Sequence, residues 1–252
     1  EKMSLPSIYR IHDTPKPEKV QEFISFCSAT GQKIKGKYTS MNPKMFQNLL
    51  SQIKVEGRAA SIYRSLAVRS MPKAIYSDTN IGHFGLASRS YSHFTSPIRR
   101  YPDLQLHRLI RTYLFEGKMD AHTIDYWAHH LGAIAEKSSE REVAAVEAER
   151  EVNKMKMAEY MEQHIGEEYK GIIVDVIGFG MFIQLENLVE GLVSVSTLKD
   201  DHYEAVPELH CLIGKSTKKR YSIGDELNVK CVAASKETRM IDFEIITHQG
   251  EA

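Results

Sequence analysis

Residues 91–111 read YSHFTSPIRRYPDLQLHRLIR, and six of these 21 residues are Arg or His. Arg99 and Arg100 stand side by side between Pro97 and Pro102. Proline fixes its own φ and restricts the residue before it, so a loop bracketed in this way has little freedom left to lose. A guanidinium fork grips a phosphate with two parallel hydrogen bonds. On a stiff loop it is already in place, whereas on a loose loop it must first be ordered. His93, Thr95 and Ser96 add further donors. Two readings fit this spacing. One is a phosphate clamp; the other is a pair of arginines neutralised by acidic side chains of a neighbouring helix, such as Glu149.

The elements that must hold this loop are legible on either side of it. Pro17 suits a first helical turn, Val20, Phe23, Ile24 and Cys27 follow at helical spacing, and Gly31 suits the stop. A second helix is expected over 43–54, closed by Gly57, and a third over 60–70. Residues 76–102 carry Gly82, Gly85, Pro97 and Pro102 and read as short strands and loops, where polar side chains gather for chemistry. Asp103 to about Phe115 reads as a helix, closed by Gly117, and 121–136 as another. Ser139 and Glu142 form a capping-box pattern that predicts a separate, longest helix to about His164. Ala145, Ala148, Val152 and Met155 make a stripe of mostly small residues that suits close backbone approach. Glu149 falls on that face, where a carboxylate is either paired or functional.

After Gly166 the hydrophobic period changes from 3.6 to 2. Residues 169–176, 179–185, 191–195, the LNVKCVAA run and 240–245 predict five strands, which suits a small Greek-key barrel of the OB type. Charge divides at the same place. Through Gly166 there are 24 Lys and Arg against 18 Asp and Glu, and beyond it 9 against 15, so a net +6 part precedes a net −6 part. The basic part is the better dock for a polyanion. Cys27, Cys211 and Cys231 have no metal-site spacing and are odd in number, which reads as three buried thiols in a reducing compartment. No apolar run approaches the ~18 residues of a membrane span. The chain opens on Glu1 rather than Met, which reads as part of a longer protein.

NIGHFGLA at 80–87, YSHFTSPIRRYPDL at 91–104 and His107-Arg108 closely resemble the signature of the ribonuclease II / ribonuclease R family. LPSIYRIH at 5–12 resembles its bacterial ribonuclease R branch. Several separated segments agree in order over nearly the whole chain, which is far more specific than a single glycine motif. The resemblance implies a processive 3′→5′ exoribonuclease that releases nucleoside 5′-monophosphates from single-stranded and structured RNA, cytoplasmic and monomeric. It implies an α+β chain, with the helix-rich C-terminal half of an RNB catalytic domain at 1–165 and a five-stranded OB-fold RNA-binding barrel at 166–248. It also implies a Mg²⁺ centre built by clustered aspartates, which would polarise the scissile phosphate and activate water. Here the sequence departs from the pattern. Its only adjacent aspartates are Asp200 and Asp201, in the barrel region. The metal ligands, and the family's cold-shock domains, are therefore expected outside this chain.

Carried over by motif, Arg99 matches the family's active-site arginine, which would bind the scissile phosphate and stabilise transition-state charge. Glu149, in EAEREV, matches an acidic residue beside that centre. Arg100, His93 and Tyr101 would position phosphates or brace the loop, His83 reads mainly as structural, and His107 and Arg108 as supporting contacts. The barrel resembles the RNA-binding module of ribosomal protein S-one. That implies base stacking on Phe179 and Phe182, further RNA contacts from His202 and Tyr203, and a basic contribution from Arg239. Ser194 and Ser235 stand where that module commonly has a histidine and an aspartate. The rival reading is a non-catalytic RNA- or ribosome-binding piece, or a scaffold.

Overall fold

The computed structural model describes residues 3–36, 38, 41–206 and 209–246; the expected barrel end at 248 lies outside them. In chain order the elements are β1 (Tyr9–Ile11), α1 (Pro17–Ala29), α2 (Pro43–Ser51), α3 (Gly57–Arg69), β2 (Ile75–Ser77), α4 (Tyr101–Ile110) and α5 (Ala121–Met161). Then come β3 (Glu168–Ile177), β4 (Gly180–Leu185), β5 (Glu190–Ser194), β6 (Tyr203–Val206), β7 (Cys211–Gly214), β8 (Arg220–Ser222), β9 (Glu226–Ser235) and β10 (Met240–Ile245). Contacts divide the chain into two compact units that interleave in sequence. One takes residues to Val20, Gly36–Ser51 and Arg69–Glu147; the other takes Gln21–Lys35, Gln52–Val68 and the chain from Ala148 onward.

In the first unit β1 and β2 pair antiparallel, with Arg10 opposite Tyr76. Ile8, Tyr76, Leu109, Tyr113, Leu131 and Ala135 form the buried cluster that seats α4 against α5, with Leu106, Trp127 and Ile134 around it. Asn42 and Asp120 cap α2 and α5 by accepting the amides of Met45 (2.9 Å) and Thr123 (3.0 Å). α4 ends earlier than expected, at Ile110, and continues as a π turn over Arg111–Phe115 before Gly117 at φ +65°.

The two helices expected over 121–136 and 139–164 are one helix, α5. No Gly or Pro interrupts residues 137–138, so the hydrogen-bond ladder has no reason to break. Ser139 is accordingly no N-cap: its hydroxyl donates to the Ala135 carbonyl at 3.0 Å and accepts the Tyr76 amide at 2.9 Å. Ala145, Ala148 and Val152, expected to receive close backbone, are exposed. Gly57, expected to close the second helix, instead opens α3.

In the second unit β10, β5, β4, β3 and β9 close a barrel in that order. All five expected strands are present, with ends moved by a residue or two. Their alternation is as the period-2 pattern requires: Met181, Ile183 and Leu185 of β4 point inward and Phe182 and Gln184 outward. Gly191 is needed where it stands, because a Cβ there would collide with the Phe243 ring. β6, β7 and β8 add a three-stranded antiparallel sheet that the pattern did not reveal. Arg58 of α3 donates to the carbonyls of Gln184 (2.8 Å) and Leu185 (2.9 Å), fixing that helix to β4. Cys27, Cys211 and Cys231 are buried free thiols, and burial pushes Cys27 up to about 12.

Candidate active site and nucleic-acid interface

Ser96 begins a tight turn whose carbonyl accepts the amides of Arg99 (3.3 Å) and Arg100 (3.0 Å). Arg100 is the extended N-cap of α4, and Pro102 lies in the first turn, where a missing N–H costs no helical bond. Asp103 follows in the same turn, where the helix dipole favours a carboxylate. It is completely buried. Its Oδ2 accepts the Ser96 amide at 2.7 Å and Arg100 Nη2 at 2.8 Å. Burial alone would raise its pKa; the Ser96 amide and the Arg100 guanidinium overcome burial and hold the carboxyl below the usual aspartate range.

The two adjacent arginines therefore differ. Arg100 is half-buried and tied to Asp103. Arg99 is exposed, and its side chain has no hydrogen bond or ion pair among the described residues. Beside it Ile98 is fully exposed. Tyr101 is exposed and held by Arg108, whose Nη1 donates to its hydroxyl at 3.2 Å. His107 Nε2 bonds the Phe94 carbonyl at 2.8 Å, anchoring the start of the loop to α4.

His93 is braced from behind. Its Nδ1 shares a 2.8 Å hydrogen bond with the Tyr76 hydroxyl. The Arg10 guanidinium lies 4.6 Å from the Tyr76 ring centroid and is itself held by both oxygens of Glu142, at 2.5 and 3.0 Å. Burial, then the positive charges of Arg100 and Arg10, push the His93 pKa down, so the imidazole is neutral at neutral pH. Its ring also meets Tyr91 edge-on at 5.7 Å, and Tyr91 meets His83 at 5.4 Å. His83 caps the short 3₁₀ turn at Phe84–Leu86. His12 is fixed in orientation, with Nε2 on the Pro72 carbonyl (2.7 Å) and Nδ1 accepting the Gly85 amide (2.8 Å).

Glu149 lies on α5 in the other unit, exposed, with no hydrogen bond or ion pair among the described residues. The donor set for a metal does not assemble: no group of three His, Cys, Asp or Glu suited to an ion occurs among the described residues. Asp200 and Asp201 have other work. Asp200 accepts the Tyr203 hydroxyl (3.0 Å) and Lys219 Nζ (3.1 Å). Asp201 Oδ2 accepts the amides of Ser216 (2.9 Å) and Thr217 (2.7 Å) and the Thr217 hydroxyl (2.7 Å), which fixes the β7–β8 turn.

On the barrel, Phe179 stands 63% exposed in the β3–β4 turn. Phe182 is half-buried on the outer face of β4, opposite Leu192 of β5 and Asp175 of β3. His202 is exposed. Tyr203 differs from its expected place: it is 3% exposed, its ring against Tyr221 and its hydroxyl on Asp200, so no face is free to stack on a base. Arg239, at φ +60° in the β9–β10 turn, forms an ion pair with Glu151 of α5.

As supports of the site, Asp103, Tyr76, Arg10 and Glu142 escaped the reading of the sequence, which placed Glu142 only in a capping box. Only Asp103 left a trace of that role, as the acidic residue of a helix's first turn; the others meet through contacts between residues 66 or more apart in sequence.

Residues 1–116 match the RNB domain family, and residues 162–246 the S1 RNA binding domain family. Ribonuclease R 1 of Lactococcus lactis is 48% identical over 246 residues, covering 98% of this chain and 30% of that protein. The apo form of Mycoplasma genitalium RNase R superimposes with a TM-score of 0.90 at 27% identity, over 97% of this chain and 38% of that one. The same values hold for that enzyme in complex with ribose methylated single-stranded RNA. The chain thus spans about a third of the length of these relatives.

Proposed function

Since the chain belongs to the ribonuclease R branch of the RNB-domain family, we propose that it is the C-terminal portion of a processive 3′→5′ exoribonuclease. Residues 1–165 are the C-terminal half of its catalytic domain and 166–248 its OB-fold RNA-binding domain. RNA is the substrate and nucleoside 5′-monophosphates the product. Mg²⁺ supplies water activation and charge neutralisation in the complete enzyme. The described residues do not fit that ion, so its ligands are assigned outside them.

One observation carries the reading: of two adjacent arginines on a braced turn, Arg100 is consumed by a buried carboxylate while Arg99 is left exposed and unpaired among the described residues. A guanidinium held so needs little reorganisation to meet a phosphate and to stabilise the charge that grows on it. His93, neutral and fixed through Nδ1, offers Nε2 to the same strand. Glu149 is assigned to the site through its motif. Phe179, Phe182 and His202 form the barrel's RNA face; Tyr203 braces it from within.

The test is Arg99→Ala in the complete enzyme. RNA affinity stays nearly intact and the cleavage rate falls strongly; a normal rate would refute the role. The 252-residue chain alone, given Mg²⁺, should release no monophosphate above background. Robust release from it would sink the assignment of the metal ligands to another part of the protein.

A further inference from the structure

We infer that Asp103 is a positioning residue, holding the Ser96–Arg100 turn from beneath so that the Arg99 guanidinium stands ready for phosphate; this rests on the reading of that loop as the phosphate-binding element. Asp103 is fully buried and reaches no ligand itself. Its Oδ2 alone grips the loop at two points, the Ser96 amide and Arg100 Nη2. Ser96 then passes the constraint on, since its carbonyl accepts the Arg99 and Arg100 amides. The residues that close the turn, Pro97 and Ile98, add no further tie: proline has no N–H to give, and Ile98 packs on nothing. Asp103 Oδ1 and Arg100 Nε are buried without a protein partner, so no second bond between the two side chains backs up the first. A single buried oxygen thus sets the backbone that carries Arg99, and it also occupies Arg100, leaving Arg99 as the member of the pair free to act.

The rival is a purely structural role, a helix-end carboxylate whose loss loosens the fold without bearing on Arg99. A double-mutant cycle separates the two in the complete enzyme, with cleavage rate at saturating RNA and RNA affinity measured separately. Asp103→Asn should lower the rate by about ten- to a hundredfold, the range expected when a catalytic group is displaced by about 1 Å, with affinity unchanged. Combined with Arg99→Ala, it should slow the enzyme no further than Arg99→Ala does alone, because it acts only through that side chain. Asp103→Glu, which restores the charge, should recover part of the rate. Losses that multiply in the double variant would overturn the positioning role while leaving the clamp reading standing. An Arg99→Ala enzyme of normal rate would overturn both. Should Asp103→Asn fail to fold, Asp103→Glu takes its place in the same cycle: a rate loss that disappears in the Arg99→Ala background supports the positioning role, and losses that multiply overturn it.

Discussion

In the 91–103 loop the exposed Arg99 side chain rides on irregular backbone, and almost everything beneath it is tied down. Asp103 grips the turn, Tyr76 fixes His93, and His107 holds the Phe94 carbonyl. On the barrel the arrangement is reversed. Regular strands supply the rigidity, and Phe179 and Phe182 project from it with no polar fixings of their own. The two regions suit the two proposed tasks. A transition state needs one donor in one place, and preorganisation is what makes that donor effective. A passing single strand needs flat surfaces that accept any base, and stacking tolerates small errors of position.

The contrast is broken most directly by exchanging the expected effects. Arg99→Ala in the complete enzyme should cost a factor of roughly 10²–10³ in rate, about 3–4 kcal/mol, as loss of one preorganised donor does. RNA affinity should hardly change. Asp103→Asn should lower stability by about 3 kcal/mol at neutral pH, because it leaves the half-buried Arg100 charge without its buried carboxylate partner. The gap to the unmutated protein should narrow on acidification. A carboxyl held below its unfolded value contributes stability that is present above about pH 4 and lost as pH falls through the depressed folded value. Urea midpoints at neutral and acid pH check this, and a gap that widens in acid would contradict it. Phe179→Ala should act on the other side of the comparison. It should weaken RNA binding by about 1–3 kcal/mol and leave the rate at saturation alone. If Phe179→Ala slowed the bound enzyme and Arg99→Ala loosened the complex, the proposed division of labour would be wrong.

How far the sequence foretold these regions follows from the range of the interactions that build them. The five barrel strands were legible because each declares itself within five to ten residues by alternation, as Met181, Ile183 and Leu185 do against Phe182 and Gln184. β6, β7 and β8 were not, because three or four residues are too few to show a period. The capping-box pattern at Ser139 misled for a related reason. A serine can satisfy its hydroxyl on the carbonyl four residues back, so the pattern marks a helix start only where something else stops the preceding helix. Arg99 stood out through its prolines and its motif. The Arg10–Glu142 pair joins chain segments that sequence spacing does not bring together, whereas the grip of Asp103 on Ser96 is local and depends on the course of an irregular turn, which has no period to read.

The smallest effect bears on the barrel's charge. Sequence composition makes Arg239 one of the few cations available to an acidic module, and that suggests a phosphate contact. In the structure its guanidinium is matched by Glu151, and both side chains are nearly half exposed. An exposed pair of this kind contributes about 0–1 kcal/mol, so Arg239→Ala should barely move the unfolding midpoint. Its consequence for RNA is more telling. A cation that neutralises one phosphate adds about one unit to the slope of log affinity against log salt. Arg239, already neutralised, should add nothing, and Arg239→Ala should leave the slope unchanged. Glu151→Gln should then uncover the arginine and tighten binding at low salt. A slope that falls by about one in Arg239→Ala would mean that RNA displaces Glu151, and that the barrel recruits its basic contact only when the strand arrives.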